Sequence, residues 1–125
     1  MANLFVNQSF ISHAGLELPF KIDCDALDPA DIETIASLIS SRITFRIVFG
    51  IPRGGARLAQ ALLHHVSLDG PILIVDDVYT TGKSMEKARQ VVGDDSIGVV
   101  IFSRDKCPSW IYPVFQLSEW ITKTD

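Results

Sequence analysis

The chain has 125 residues, 47% of them hydrophobic, and a formal net charge of -4. That is about one domain's length with ample material for a core, and the acidic balance excludes non-specific nucleic-acid binding, which needs a basic excess. The longest apolar runs, Ile72–Val75 and Ile97–Phe102, are far too short to span a bilayer, so no membrane is expected as a partner.

Residues 1–27 read as irregular or extended, with Phe5, Phe10 and Phe20 as anchors. A helix is expected to start at Asp28-Pro29, since Asp28 can cap and Pro29 suits the first helical position. Ile32, Ile35, Leu38 and Ile39 then recur at helical spacing. Phe45 to Phe49 reads as a strand ending at Gly50, and Pro52-Arg53-Gly54-Gly55 as a loop. Ala56 to about His65 forms the next expected helix, with Ala59, Leu62 and Leu63 on one face and His64 and His65 at the surface. Asp69-Gly70 is a turn and Pro71 to Val75 a buried strand. Lys83 to Val92 is a helix with Met85, Ala88 and Val92 facing in. Ile97 to Phe102 and Val114 to Leu117 complete the strands. This βαβαβ alternation implies an α/β fold with a mostly parallel twisted sheet, flanked by helices through right-handed crossovers. No repeat, linker or low-complexity segment divides the chain.

Chemistry concentrates at the ends of two strands. Asp76 and Asp77 end the run Ile72-Leu73-Ile74-Val75, and Val78-Tyr79-Thr80-Thr81-Gly82-Lys83-Ser84 leads into a helix. Open α/β sheets bind ligands at the carboxyl ends of their strands. A turn of Thr, Thr, Gly and Ser at a helix start offers free backbone N–H groups and a favourable dipole to a phosphate. Two adjacent carboxylates beside it can bond the hydroxyls of a sugar and stabilise a developing cation. Gly50-Ile51-Pro52-Arg53-Gly54-Gly55 lies in the same position one strand earlier. Its glycines expose N–H groups, and Arg53 adds a forked donor for phosphate. The bland alternatives are a strand-end pair capping the next helix and an ordinary Gly-rich turn.

The run from Ile72 to Ser84 resembles, over all 13 positions, the 5-phosphoribosyl 1-pyrophosphate (PRPP) signature of type I phosphoribosyltransferases. The Pro-Arg-Gly-Gly loop resembles the pyrophosphate loop of the orotate branch of that family. His13-Ala14-Gly15-Leu16-Glu17-Leu18-Pro19-Phe20-Lys21-Ile22-Asp23 looks like the segment that folds over the base in orotate phosphoribosyltransferases, and Arg104 stands where those enzymes face the substrate carboxylate. The likeness runs over about residues 10–118, tight in the two loops and loose elsewhere. It implies a single domain: a base-side segment over 1–27 and a PRPP-binding α/β core over 28–125. It also implies transfer of ribose 5-phosphate from PRPP to a nitrogenous base, an orotate-like pyrimidine, with release of pyrophosphate.

By the same resemblance, Asp76 and Asp77 are catalytic and meet Mg²⁺ indirectly, through PRPP or water. Thr80, Thr81, Gly82, Lys83 and Ser84 bind the 5′-phosphate; Arg53, Gly54 and Gly55 bind pyrophosphate; His13, Lys21 and Arg104 face the base. Two departures stand out. Only the 15 residues Ala56–Gly70 separate the Gly-Gly loop from the next strand, where family members place two further strands and a mobile basic catalytic loop. His13 replaces a usual Lys, and Lys21-Ile22 replaces aromatics. The missing loop favours the alternative of a non-catalytic PRPP- or nucleotide-binding module, and the uncovered edge suggests a homodimer. A receiver domain also opens with Ile-Leu-Ile-Val-Asp-Asp, but there the pair lies near the N-terminus, not at residue 76. Cys24 and Cys107 form neither a disulfide framework nor a metal-ligand spacing. The start Met1-Ala2-Asn3-Leu4-Phe5 lacks the build of a signal peptide, so a reduced, cytoplasmic protein is expected.

Overall fold

A computed structural model describes residues 23–116, together with the backbone of four short strands before them. Those strands, β1 (Phe5–Val6), β2 (Phe10–Ile11), β3 (Glu17–Leu18) and β4 (Lys21–Ile22), pair antiparallel in nested fashion, β1 with β4 and β2 with β3. A 3₁₀ turn, Cys24–Ala26, follows, capped by the Asp23 side chain.

Helix α1 (Pro29–Arg42) starts as its sequence dictates. The Asp28 carboxylate accepts from Asp31 N at 2.9 Å, and the Asp31 carboxylate accepts from Asp28 N at 3.1 Å. This reciprocal cap satisfies two N–H groups that the helix leaves free, with Pro29 already lacking one. Its buried stripe is Ile32, Ile35, Ala36 and Ile39; Leu38 lies exposed.

The main sheet has four parallel strands in the order β5 (Ile47–Gly50), β6 (Ile72–Tyr79), β7 (Ile97–Ser103) and β8 (Ile111–Gln116). Helix α2 (Ala56–Leu62) joins β5 to β6 and α3 (Lys83–Val92) joins β6 to β7. Leu73 and Val75 pack with Val99 and Ile101 against α1 and α2, whereas Ile74 and Val100 pack against Met85 of α3. The helices therefore cover opposite faces. Because strand order advances in one direction, crossovers of one hand would place α2 and α3 on the same face. Their hands differ, which corrects the expectation of right-handed crossovers throughout. The cause is packing: Leu58, Ala61 and Leu62 of α2 are buried in one cluster with the α1 stripe.

Helix α2 is also shorter than its sequence suggests. It ends at Leu62 and tightens into a 3₁₀ turn, Leu63–His65. The buried stripe is Leu58, Ala61 and Leu62, at i, i+3 and i+4. Leu63, expected inside, is 56% exposed. The last strand starts three residues earlier than expected, because β8 lies at the sheet edge and tolerates Pro113 within it.

Candidate functional site

Strand β6 carries the chain past the core to the site. Its side chains alternate up to Val75, then the alternation breaks: Val78 packs in the same cluster as Val75, and Tyr79 in the one that holds Ile74. Asp76 and Asp77 occupy the break, inside the strand rather than beyond it. Each carboxylate accepts the N–H of the following residue, Asp77 N to Asp76 Oδ1 at 2.8 Å and Val78 N to Asp77 Oδ1 at 2.7 Å. Both side chains are half-buried. Burial, and then the bond to Asp77, push the Asp76 carboxyl up to about 7.

The first loop closes onto this pair. Ile51 N donates to Val75 O at 2.9 Å and Gly55 N to Ile51 O at 2.8 Å, which fold the chain back over the end of β6. The Pro52–Arg53 peptide is cis. A Cβ on Gly54 would land on the carboxyl carbon and both oxygens of Asp77. Only glycine allows this approach, and it brings the two strand-end loops into one site. Cys24 lies against the same place. Its thiol is pushed up to about 12, by burial first and the Asp77 charge second, which leaves it inert. Arg57, in the first turn of α2, holds that segment from behind, donating to Leu27 O at 2.8 Å and Cys24 O at 2.7 Å.

The second loop has the form of an anion cradle at a helix start. Gly82 caps α3 with φ +81°, and no side chain caps it. The first helical bond runs from Glu86 N to Gly82 O at 2.9 Å, so the N–H groups of Lys83, Ser84 and Met85 have no partner inside the helix. A Cβ on Gly82 would lie 2.6 Å from the Tyr79 hydroxyl; Tyr79 thus floors the cradle. An open groove of about 410 Å³ runs from Thr81 along α3 to Gln90, past Lys83 and Lys87.

No family model matches the chain, and no curated protein matches it significantly. Solved structures do. An orotate phosphoribosyltransferase of Mycobacterium tuberculosis, in complex with PRPP, superposes with a TM-score of 0.62 at 18% identity, covering 91% of this chain and 89% of that one. The Francisella tularensis orotate phosphoribosyltransferase gives 0.61 at 17%, covering 97% and 86%. Leishmania donovani UMP synthase gives 0.65 at 17%, covering 95% of this chain and 34% of that one. This is the type I phosphoribosyltransferase fold.

On that fold, Arg53, Gly54 and Gly55, the acidic pair and Thr80–Ser84 converge on one edge of the sheet. Arg104 follows β7 at that edge, where Ser103 pairs in register with Tyr79. Burial lowers the pKa of its guanidinium, against the opposing pull of Asp105. Phe102 stacks on Phe115 of β8 nearby, with centroids 5.2 Å apart. His13 lies outside the described residues, and Lys21 is described only as backbone of β4. Sequence reasoning passed over Tyr79 and Arg57. Neither carries a local signal, since one acts through packing and the other through a contact 30 residues away.

Among the described residues no cluster of three or more His, Cys, Asp or Glu could hold a metal unaided. Mg²⁺ commonly binds through one or two carboxylates plus substrate phosphates and water. The acidic pair fits that mode, because a divalent cation offsets the cost of charging a half-buried carboxyl beside a second one. Asp76 and Asp77 would hold it, and its chemistry would be neutralising leaving-group charge. No helix among the described residues is long and apolar enough to cross a membrane.

Proposed function

We propose that this chain binds Mg-PRPP across the two loops and transfers ribose 5-phosphate to a nitrogenous base, an orotate-like pyrimidine, releasing pyrophosphate. The close approach of Gly54 to Asp77 carries the reading, since it makes one site of two phosphate-binding loops. Thr80–Ser84 take the 5′-phosphate through N–H groups and hydroxyls. Asp76 and Asp77 hold the ribose hydroxyls and offset positive charge at C1 as its bond to pyrophosphate stretches. Arg53 and the N–H groups of Gly54 and Gly55 receive the pyrophosphate. Arg104, with Lys21 and His13 from the base-side segment, faces the base. The chemistry asks mainly for positioning and electrostatics, which these residues supply.

The proposal includes a cytoplasmic homodimer. β5 is an edge strand, and Ile47 and Phe49 on it are 45% and 40% exposed. A second reading, a PRPP-binding module without turnover, is favoured by the course of residues 56–70, which form α2 and a 3₁₀ turn and place nothing over the loops.

Pyrophosphate release from PRPP and Mg²⁺ tests the proposal, measured against orotate, uracil, adenine, guanine and hypoxanthine. The Asp76→Asn/Asp77→Asn protein serves as control. Base-dependent release that the control lacks is expected. PRPP binding by calorimetry without release under any condition would leave the module reading in its place.

A further inference from the structure

Three connections border the carboxyl ends of β5, β6 and β7, and each is short or pinned. The first runs from Gly55 straight into α2 and returns at the far end of the sheet. There Ser67 N donates to Phe45 O at 2.8 Å and Arg46 N to Pro71 O at 3.2 Å. The second is the turn from Thr80 to Gly82. The third, residues 104–110, is tied down at both ends. Gly98 N donates to Trp110 O at 2.8 Å, Trp110 Nε1 to Glu86 Oε1 at 3.2 Å, and the Ser103 hydroxyl to the carbonyl of Asp105. None of these has the slack to fold over the site. Arg53, Gly54, Thr80, Thr81, Lys83 and Ser84 are all exposed.

This openness bears on the choice of acceptor. As pyrophosphate leaves, C1 of the sugar becomes cationic, and a nucleophile already in place captures it. Enzymes that reserve such a carbon for a chosen acceptor close the site and expel water. Among the described residues nothing covers the two loops, and water reaches them directly. We propose that the chain also hydrolyses PRPP to ribose 5-phosphate and pyrophosphate, with water as the acceptor. The inference rests on the two loops being a PRPP site. The C1–oxygen bond breaks and its electron pair leaves with pyrophosphate. A water oxygen forms the new bond to C1, and its proton passes to solvent. No base is consumed.

The test uses the full chain with PRPP and Mg²⁺ and no base, in oxygen-18 water. Pyrophosphate and ribose 5-phosphate are followed by phosphorus NMR, and PRPP binding is measured separately by calorimetry. The expected result is saturable release at no less than about a tenth of the fastest base-dependent rate, as follows if nothing excludes water. The pyrophosphate should be free of label, because the C1–oxygen bond is the one broken. Asp76→Asn/Asp77→Asn, checked for folding by circular dichroism, should fall to the spontaneous rate. PRPP binding with base-free release no faster than that control would overturn hydrolysis and leave the transferase reading standing. Labelled pyrophosphate would overturn it too, by placing attack at phosphorus. Absence of PRPP binding would overturn both.

Discussion

Replacing Asp76 by Asn should stabilise the ligand-free protein while weakening its site. The Asp76 carboxyl titrates at about 7 rather than 3.8, because burial disfavours its charge and Asp77 sits beside it. The folded state therefore keeps a proton that the unfolded chain has released, so stability falls as pH climbs from about 4 to about 7 and is level above. The full gap corresponds to about 4 kcal/mol. Water on the open side of this half-buried carboxyl reduces that to about 1–2 kcal/mol. Asn keeps the Oδ1 that accepts from Asp77 N and carries no charge to desolvate. Asp76→Asn should thus be more stable than the parent by about 1–2 kcal/mol at pH 8, or about 4–8 °C in melting temperature. At pH 4 the gain should shrink to roughly a third, since most of the folded parent's carboxyl is then protonated. Urea unfolding at the two pH values reads both numbers. An equal gain at both pH values, or a less stable variant at pH 8, would refute this account of Asp76. Affinity for Mg-PRPP, measured by calorimetry at pH 8, should move the opposite way and fall several-fold or more.

Gly54→Ala places a methyl group on the Asp77 carboxylate; it should lower Mg-PRPP affinity about tenfold or more while changing the urea midpoint little, because Gly54 is exposed. Ligand affinity equal to the parent's would show that the loop shifts freely. Ile47→Lys with Phe49→Lys puts charge on the free edge of β5 and should abolish the proposed dimer in sedimentation; a variant that still dimerises would move the interface elsewhere.

The two strand-end glycine loops were legible because they are local. Gly82 needs a left-handed conformation, and the helix that follows it runs from Lys83 to Val92 as its residues imply. The start of α1 was equally plain, since Asp28, Pro29 and Asp31 write the cap within four positions. What escaped the sequence depends on distant partners. The end of α2 and the exposure of Leu63 follow from which stripe α1 accepts. The same packing sets the face α2 occupies, and so the hand of its crossover. β6 runs on to Tyr79 because β7 stays alongside, pairing Val78 with Phe102 and Tyr79 with Ser103; two acidic residues in a row gave no hint of it. The set expected to face the base rests on likeness alone, and of its members only Arg104 has a described side chain.

The free edge of β5 and the exposed connector at Leu68, 97% accessible, together mark a graft point. An antiparallel hairpin spliced in near Leu68 would begin at the amino-terminal end of the sheet. Paired along β5, it would cover Ile47 and Phe49 and deliver its turn above Arg53 and Gly54. The entropy of lengthening a surface connection grows only slowly with residue number, so the scaffold can absorb the insertion. A lid could then be added to or removed from one unchanged sheet, letting the worth of water exclusion be measured within a single protein.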